Sequence, residues 1–202
     1  MPSVALARGG VPPVPPSGLT DTYGAQKTLA VLVNFQDHSL PADFTNWEAR
    51  MAMAGATNFV HEASYGKTWL TAIVDVPFNV ADVRGPYNIP ISAPTTCDDA
   101  ALSLISFWAK FSAGWGGGVN PSLHNRFVIF FPETASCDFS GRSMGRDSFI
   151  NGNLDVKVIT HELGHYNAFQ KERLGWLNFN GTPPGWPRRS RSRSPSISPP
   201  GR

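Results

Sequence analysis

Cysteine is scarce: only Cys97 and Cys137 occur in 202 residues. They lie too far apart for a CxxC metal or redox motif, so two states stay open, a disulfide or a pair of free buried thiols. If bridged, the closed loop of about forty residues would stabilise the fold by roughly 4 kcal/mol in the chain-entropy picture. Long apolar runs are also missing. None approaches the ~20 residues of a membrane span, and Met1 to Gly10 lacks the charged and continuous apolar regions of a signal peptide, so neither an export address nor a membrane partner is expected here. No internal repeat is detectable.

Charge is sparse too, at 16% of residues, and the formal balance of +2 misleads. Arg188, Arg189, Arg191, Arg193 and Arg202 crowd the C-terminal end; without these five, 12 basic residues face 15 acidic ones and the body is about −3. Such a body advertises no nucleic-acid surface. What the chain does have is 41% hydrophobic residues, enough for one domain with a core and too few residues overall for two.

Residues 1–26, with the run Val11-Pro-Pro-Val-Pro-Pro16, read as an extended linker. A folded part is expected over 27–178 and a disordered Arg/Ser/Pro-rich tail over 179–202. Thr28 to Phe35 suits a buried strand, and Pro41 to Ser64, containing Trp47, Met51, Ala54 and Phe59, suits a helix stopped at Ser64-Tyr-Gly66. Lys67 to Val80 reads as a strand with Pro77 marking an edge or an end, followed by an irregular stretch to Cys97. Asp98 and Asp99 favour a helix start, Leu102, Ile105 and Trp108 recur at helical spacing, and Gly114 to Gly118 is the expected stop. Arg126 to Phe131 is a third buried strand, a Ser/Gly-rich loop runs to Arg146, and Ser148 to Asn153 is a short last strand and turn. From Leu154 on, Val156, Ile159 and Leu163 recur every three or four residues, which predicts a helix with one apolar face.

That helix carries His161, Glu162 and His165, an HExxH motif. Histidines four apart on a helix share a face, with Cβ atoms about 5–6 Å apart, so both imidazoles can reach one Zn²⁺ at about 2.0–2.1 Å. Glu162 is rotated away from that pair and is a candidate general base acting on a metal-activated water. At this composition a chance HExxH arises in roughly three such sequences per thousand. The bland alternative is an amphipathic helix whose polar face happens to carry the three residues. His38, His61 and His124 are isolated and are expected at the surface or in capping roles rather than as ligands.

Several segments together resemble the gametolysin-type zinc metallopeptidases, a metzincin-related family. They are Leu32-Val-Asn-Phe-Gln-Asp37, Glu62-Ala-Ser-Tyr-Gly-Lys-Thr-Trp-Leu70, Thr96-Cys97, Phe149-Ile-Asn-Gly152, His161-Glu-Leu-Gly-His165 and Asn167 to Trp176, spread over roughly residues 27–178. The resemblance implies a metzincin-like α+β catalytic domain, zinc bound by His161 and His165, Glu162 as catalytic residue and a Cys97–Cys137 bridge. It also implies an extracellular endopeptidase acting on protein or glycoprotein. The fold expected is α+β: a small twisted sheet from the 28, 68, 126 and 148 regions, backed by helices that include the motif helix.

The family extends the motif to HExxHxxGxxH and adds a Met-turn, whereas this chain has Ala168 and Lys171 at those Gly and His positions, no later histidine, and methionines only at 1, 51, 53 and 144. A segment between the zinc helix and the Asn167-to-Trp176 block is missing by this comparison. Glu172 returns to about the face of His161, but eleven residues along a continuous helix is about 16 Å, out of reach of a shared ion unless the chain reverses after Tyr166. Three functional classes follow: a zinc endopeptidase with an impaired site, an inactive relative acting as a binding module, and a nucleic-acid binder using the tract Arg188-Arg-Ser-Arg-Ser-Arg-Ser-Pro195. Asn180-Gly-Thr182 is a glycosylation sequon, relevant only after export.

Overall fold

The computed structural model describes residues 23–74 and 79–173, with side chains through residue 165. The linker up to residue 22, the segment 75–78 and everything after Arg173, including the sequon and the Arg/Ser tract, lie outside the described residues.

Among the described residues, six strands and three helices make a mixed α/β fold compatible with the α+β expectation. In chain order they are β1 (Gly24–Asn34), α1 (Asn46–Ala63), β2 (Thr68–Thr71), β3 (Asp82–Asn88), α2 (Asp99–Trp115), β4 (Arg126–Phe131), β5 (Gly141–Met144), β6 (Asp147–Asn151) and α3 (Val156–Arg173), with a 3₁₀ turn at Pro121–Leu123 before β4. The strand order is β2-β1-β4-β6-β5, and β3 also pairs with β1. All pairings are parallel except β5 with β6. β1 is long enough to take two partners on one edge: Gly24–Lys27 pair with β2, and Leu29–Asn34 pair with β3.

Alternation along the central strands divides the core. Leu29, Val31 and Val33 of β1 with Phe127, Ile129 and Phe131 of β4 pack under Leu102, Ile105, Ala109 and Ala113 of α2. Ala30, Leu32, Val128 and Phe130 point the other way, against α1 and the Ile159–Leu163 face of α3. Continuous apolar runs are what strands covered on both faces require. Each fully buried Leu, Ile or Phe contributes about 1.5–3 kcal/mol of transfer free energy.

The four expected strand regions all enter the sheet, and the structure redraws several boundaries. β1 starts before Lys27, since Gly24, Ala25 and Gln26 already pair with Thr68, Trp69 and Leu70. The strand expected over 67–80 is confined to β2; Ile73 and Val74 donate their backbone N–H groups to the Asp82 carboxylate at 2.7 and 2.9 Å instead of pairing, and are exposed. The irregular stretch contains β3, whose Arg84-Gly-Pro86 centre carries little strand propensity. Gly85 adopts φ +107, and a Cβ there would run into the Leu32 carbonyl. The Ser/Gly loop contains β5.

Helix ends follow local chemistry. α1 begins at Asn46 rather than near Pro41 because Thr45 is its N-cap, with Glu48 N–H donating to Thr45 Oγ1. It ends, as expected, at Ser64, with Tyr65 and Gly66 at φ 55 and 73. Its buried face is Ala49, Ala52, Met53, Ala56 and Val60; Trp47, Met51 and Phe59 point outward. Small residues let α3 approach: a Cβ on Gly55 would lie 2.9 Å from Val156 Cγ2. Asp98 caps α2 by accepting from Ala101 N–H at 2.9 Å, and the helix runs through Gly114 to Trp115 before the glycines end it.

Candidate metal centre

α3 begins where Asp155 accepts from the Lys157 N–H at 2.8 Å, and burial of Ile159 and Leu163 against the sheet fixes its rotation. With that face inward, His161 and His165 are exposed one turn apart on the outer face, and Glu162 turns toward β5 with 5% exposure. The Nε2 atoms of the two histidines lie 2.9 Å apart, with ring planes at 86°. Ligand atoms of all three residues fall within 4.8 Å of one another, and among the described residues no other group of three such side chains does so. The group could hold a metal ion. Its histidines border a shallow depression of about 480 Å³ lined also by Phe59, Val156, Lys157 and Gly164.

The surroundings of Glu162 were not legible in the sequence. Ser143, from the stretch read as loop, faces both acceptors of Glu162, its hydroxyl lying 2.9 Å from Oε2 and 2.6 Å from the backbone oxygen. The hydroxyl proton can serve either. Gly141, two residues earlier and therefore on the same face of β5, leaves room for the Glu162 side chain: an added Cβ would sit 2.7 Å from its Cγ. Arg142 points to the other face, donating to the Cys97 carbonyl at 3.0 Å and to Asp99 Oδ1 at 2.7 Å. Cys97 is bonded to Cys137, with Cα atoms 5.1 Å apart, so one of the two open thiol states is resolved as a disulfide. The bridge and Arg142 tie β5 to the start of α2, and β5 in turn positions Glu162. The only sequence signal for this arrangement is the alternation Gly141-Arg-Ser143, too short to distinguish from a turn.

The remaining histidines divide. His38 and His61 are exposed, as expected. His124 caps the 3₁₀ turn but is 2% exposed, with Nε2 2.7 Å from Asp82 Oδ2 and Nδ1 3.0 Å from the Asn120 carbonyl. It is a buried structural partner of a carboxylate rather than a surface residue. Beyond His161, Glu162 and His165, no further ligating side chain joins the group among the described residues. α3 continues unbroken to Arg173, so the chain does not reverse after Tyr166, and position 172 lies about 16 Å along the axis from position 161. Beyond Glu172 the sequence contains no His, Cys, Asp or Glu.

Across the described residues no helix is long and apolar enough to cross a membrane. Comparison with protein-family models and with curated proteins finds no match to this chain.

Proposed function

We propose that this chain is a zinc-dependent endopeptidase scaffold with a weakened metal site, in which His161 and His165 hold the ion and Glu162 is the general base. The observation that carries the reading is the approach of two imidazole nitrogens to 2.9 Å beside a buried carboxylate. Tetrahedral zinc at about 2.0–2.1 Å from each nitrogen needs them about 3.3 Å apart, so the pair fits after opening by a few tenths of an ångström. A zinc ion bound there would polarise a scissile carbonyl and acidify a water. Glu162 would take a proton from the attacking water on a carboxylate oxygen as the new C–O bond forms at the expense of the carbonyl π bond, and would deliver it to the amine nitrogen as the carbonyl re-forms and the C–N bond breaks. Ser143 would keep that carboxylate oriented. The substrate class, extracellular protein or glycoprotein, follows the family resemblance.

Weakness follows from ligand count, since a catalytic zinc takes three protein ligands plus water. With two, affinity on the order of micromolar is expected rather than the far tighter binding of complete sites. Titration calorimetry with Zn²⁺ alone should show 1:1 binding that is lost in His161→Ala and in His165→Ala. Casein cleavage should be slow, chelator-sensitive and reduced at least about a hundredfold by Glu162→Gln. Cleavage indifferent to chelator, or zinc binding that survives loss of both histidines, rejects the proposal. Zinc binding without any cleavage moves the chain to the inactive binding class.

A further inference from the structure

The histidine pair of the candidate metal centre fills half of a coordination shell, and the chain offers little to fill the rest. Zinc held by proteins takes four ligands in a tetrahedron. His161 and His165 supply two nitrogens 2.9 Å apart. Among the described residues only Glu162 brings a further ligating atom close, and its carboxylate is turned toward β5, where the Ser143 hydroxyl meets it at 2.9 Å. From Tyr166 onward Glu172 is the sole His, Cys, Asp or Glu of the sequence, and its position lies about 16 Å along α3 from that of His161.

Both imidazoles stand exposed on the outer face of α3, one turn apart. Gly164, next to His165 in the chain, has nothing within 4 Å of an added Cβ, and Phe59, across the shallow depression that the histidines border, is 55% exposed. The ligand face is thus open to a partner as large as another helix. A two-fold axis through the ion would bring His161 and His165 of two copies to it, four nitrogens in all. The tetrahedron they describe has edges of about 3.3 Å, and each chain already holds one such edge to within a few tenths of an ångström. Lys157 is the one charged residue lining the depression, and it repeats in the second copy, so charge does not draw the chains together. The metal has to.

We propose that two copies of this chain share one zinc ion, each supplying His161 and His165. The inference rests on the proposed reading that these histidines hold the ion, and it adds the partner that completes the shell. With all four positions taken by imidazole, the shared site is closed in the manner of structural zinc and leaves no place for water or a substrate carbonyl. The dimer is therefore the resting form, while a chain with an ion to itself keeps open positions. Glu162 stays outside the shared shell, on Ser143. The ratio of zinc to chain decides between the two forms by mass action: half an equivalent favours the pair, and excess gives each chain its own ion.

Sedimentation velocity of the full chain, metal-free and with rising Zn²⁺, tests this. The metal-free chain should be a monomer, half an equivalent of zinc should carry at least about half of it into a dimer, and excess zinc or a chelator should return the monomer. Co²⁺ in place of zinc reports the shell itself, because a tetrahedral four-nitrogen ion absorbs visible light far more strongly than a six-coordinate one; the band should reach full height at half an equivalent. His161→Ala and His165→Ala, exposed positions whose folding circular dichroism can verify, should each weaken the dimer at least about tenfold, and Glu162→Gln should leave it intact. One-to-one zinc binding by a chain that stays monomeric at every ratio overturns the shared site and leaves the proposed metal centre standing. A dimer that forms without metal, that survives loss of both histidines, or that persists in excess zinc also overturns it. So does a dimer lost in Glu162→Gln, which would make the carboxylate a ligand. A chain that binds no zinc removes the shared site and the metal centre together.

Discussion

Replacing Gly141 by Ala places a methyl group 2.7 Å from Glu162 Cγ, 2.7 Å from Val158 Cγ1 and 2.9 Å from Glu162 Oε1. Contacts that short force movement, and neither neighbour yields freely. Val158 is β-branched and confined on α3, and Glu162 is 5% exposed and bonded to Ser143. Overpacking of this kind destabilises by about 1–3 kcal/mol, which for a domain near 150 residues lowers Tm by roughly 2–12 °C. Gly164, on the same helix two residues past Glu162, has nothing within 4 Å of an added Cβ. Gly164→Ala should therefore stabilise by about 1 kcal/mol through helix propensity alone. Urea unfolding followed by far-UV circular dichroism measures both, with unchanged m-values confirming that only stability moved. A Gly141→Ala midpoint equal to the parent's, or a Gly164→Ala loss as large as that of Gly141→Ala, would refute the close packing of β5 on α3 and with it the positioning of Glu162.

Removing the bridge with Cys97→Ser/Cys137→Ser should lower stability by roughly 4 kcal/mol, read from the same urea curves; a change under about 1 kcal/mol would show that the loop is already held by other contacts. His124→Ala removes the imidazole from the buried Asp82 carboxylate, which also accepts from the Ile73 and Val74 N–H groups, and should destabilise by about 3 kcal/mol, against near neutrality if the pair were open to water. Burial raises the Tyr87 phenol above its ordinary value of about 10, with Arg84 pulling it partly back. A raised folded pKa means its contribution is present below pH 10 and is lost as pH climbs from there through the folded value, so Tyr87→Phe should flatten the loss of stability measured by denaturation just above pH 10.

The sequence by itself determined the pieces whose signals are local. Thr28 to Phe35 and Arg126 to Phe131 are apolar and β-branched or aromatic over a strand's length, and they form the two central strands. Ser64-Tyr-Gly66 stops α1, and Val156, Ile159 and Leu163 orient α3 so that its two histidines share a face. Spacing alone carried the HExxH geometry, because a helix fixes the separation of residues four apart. Only the tertiary structure decided what lies between. β3 and β5 are strands because β1 and β6 offer them backbone partners, a long-range gain that outweighs the weak propensity of Arg84-Gly-Pro86 and Gly141-Arg-Ser143. Ser143 faces Glu162, and His124 is buried against Asp82, through contacts between residues nineteen and forty-two apart in sequence. Helical periodicity likewise reports that α2 is apolar but not which of its apolar residues the sheet covers. Leu102 and Ile105 are buried while Phe107, Phe111 and Trp115 remain outside, because one sheet face covers only one side of a cylinder.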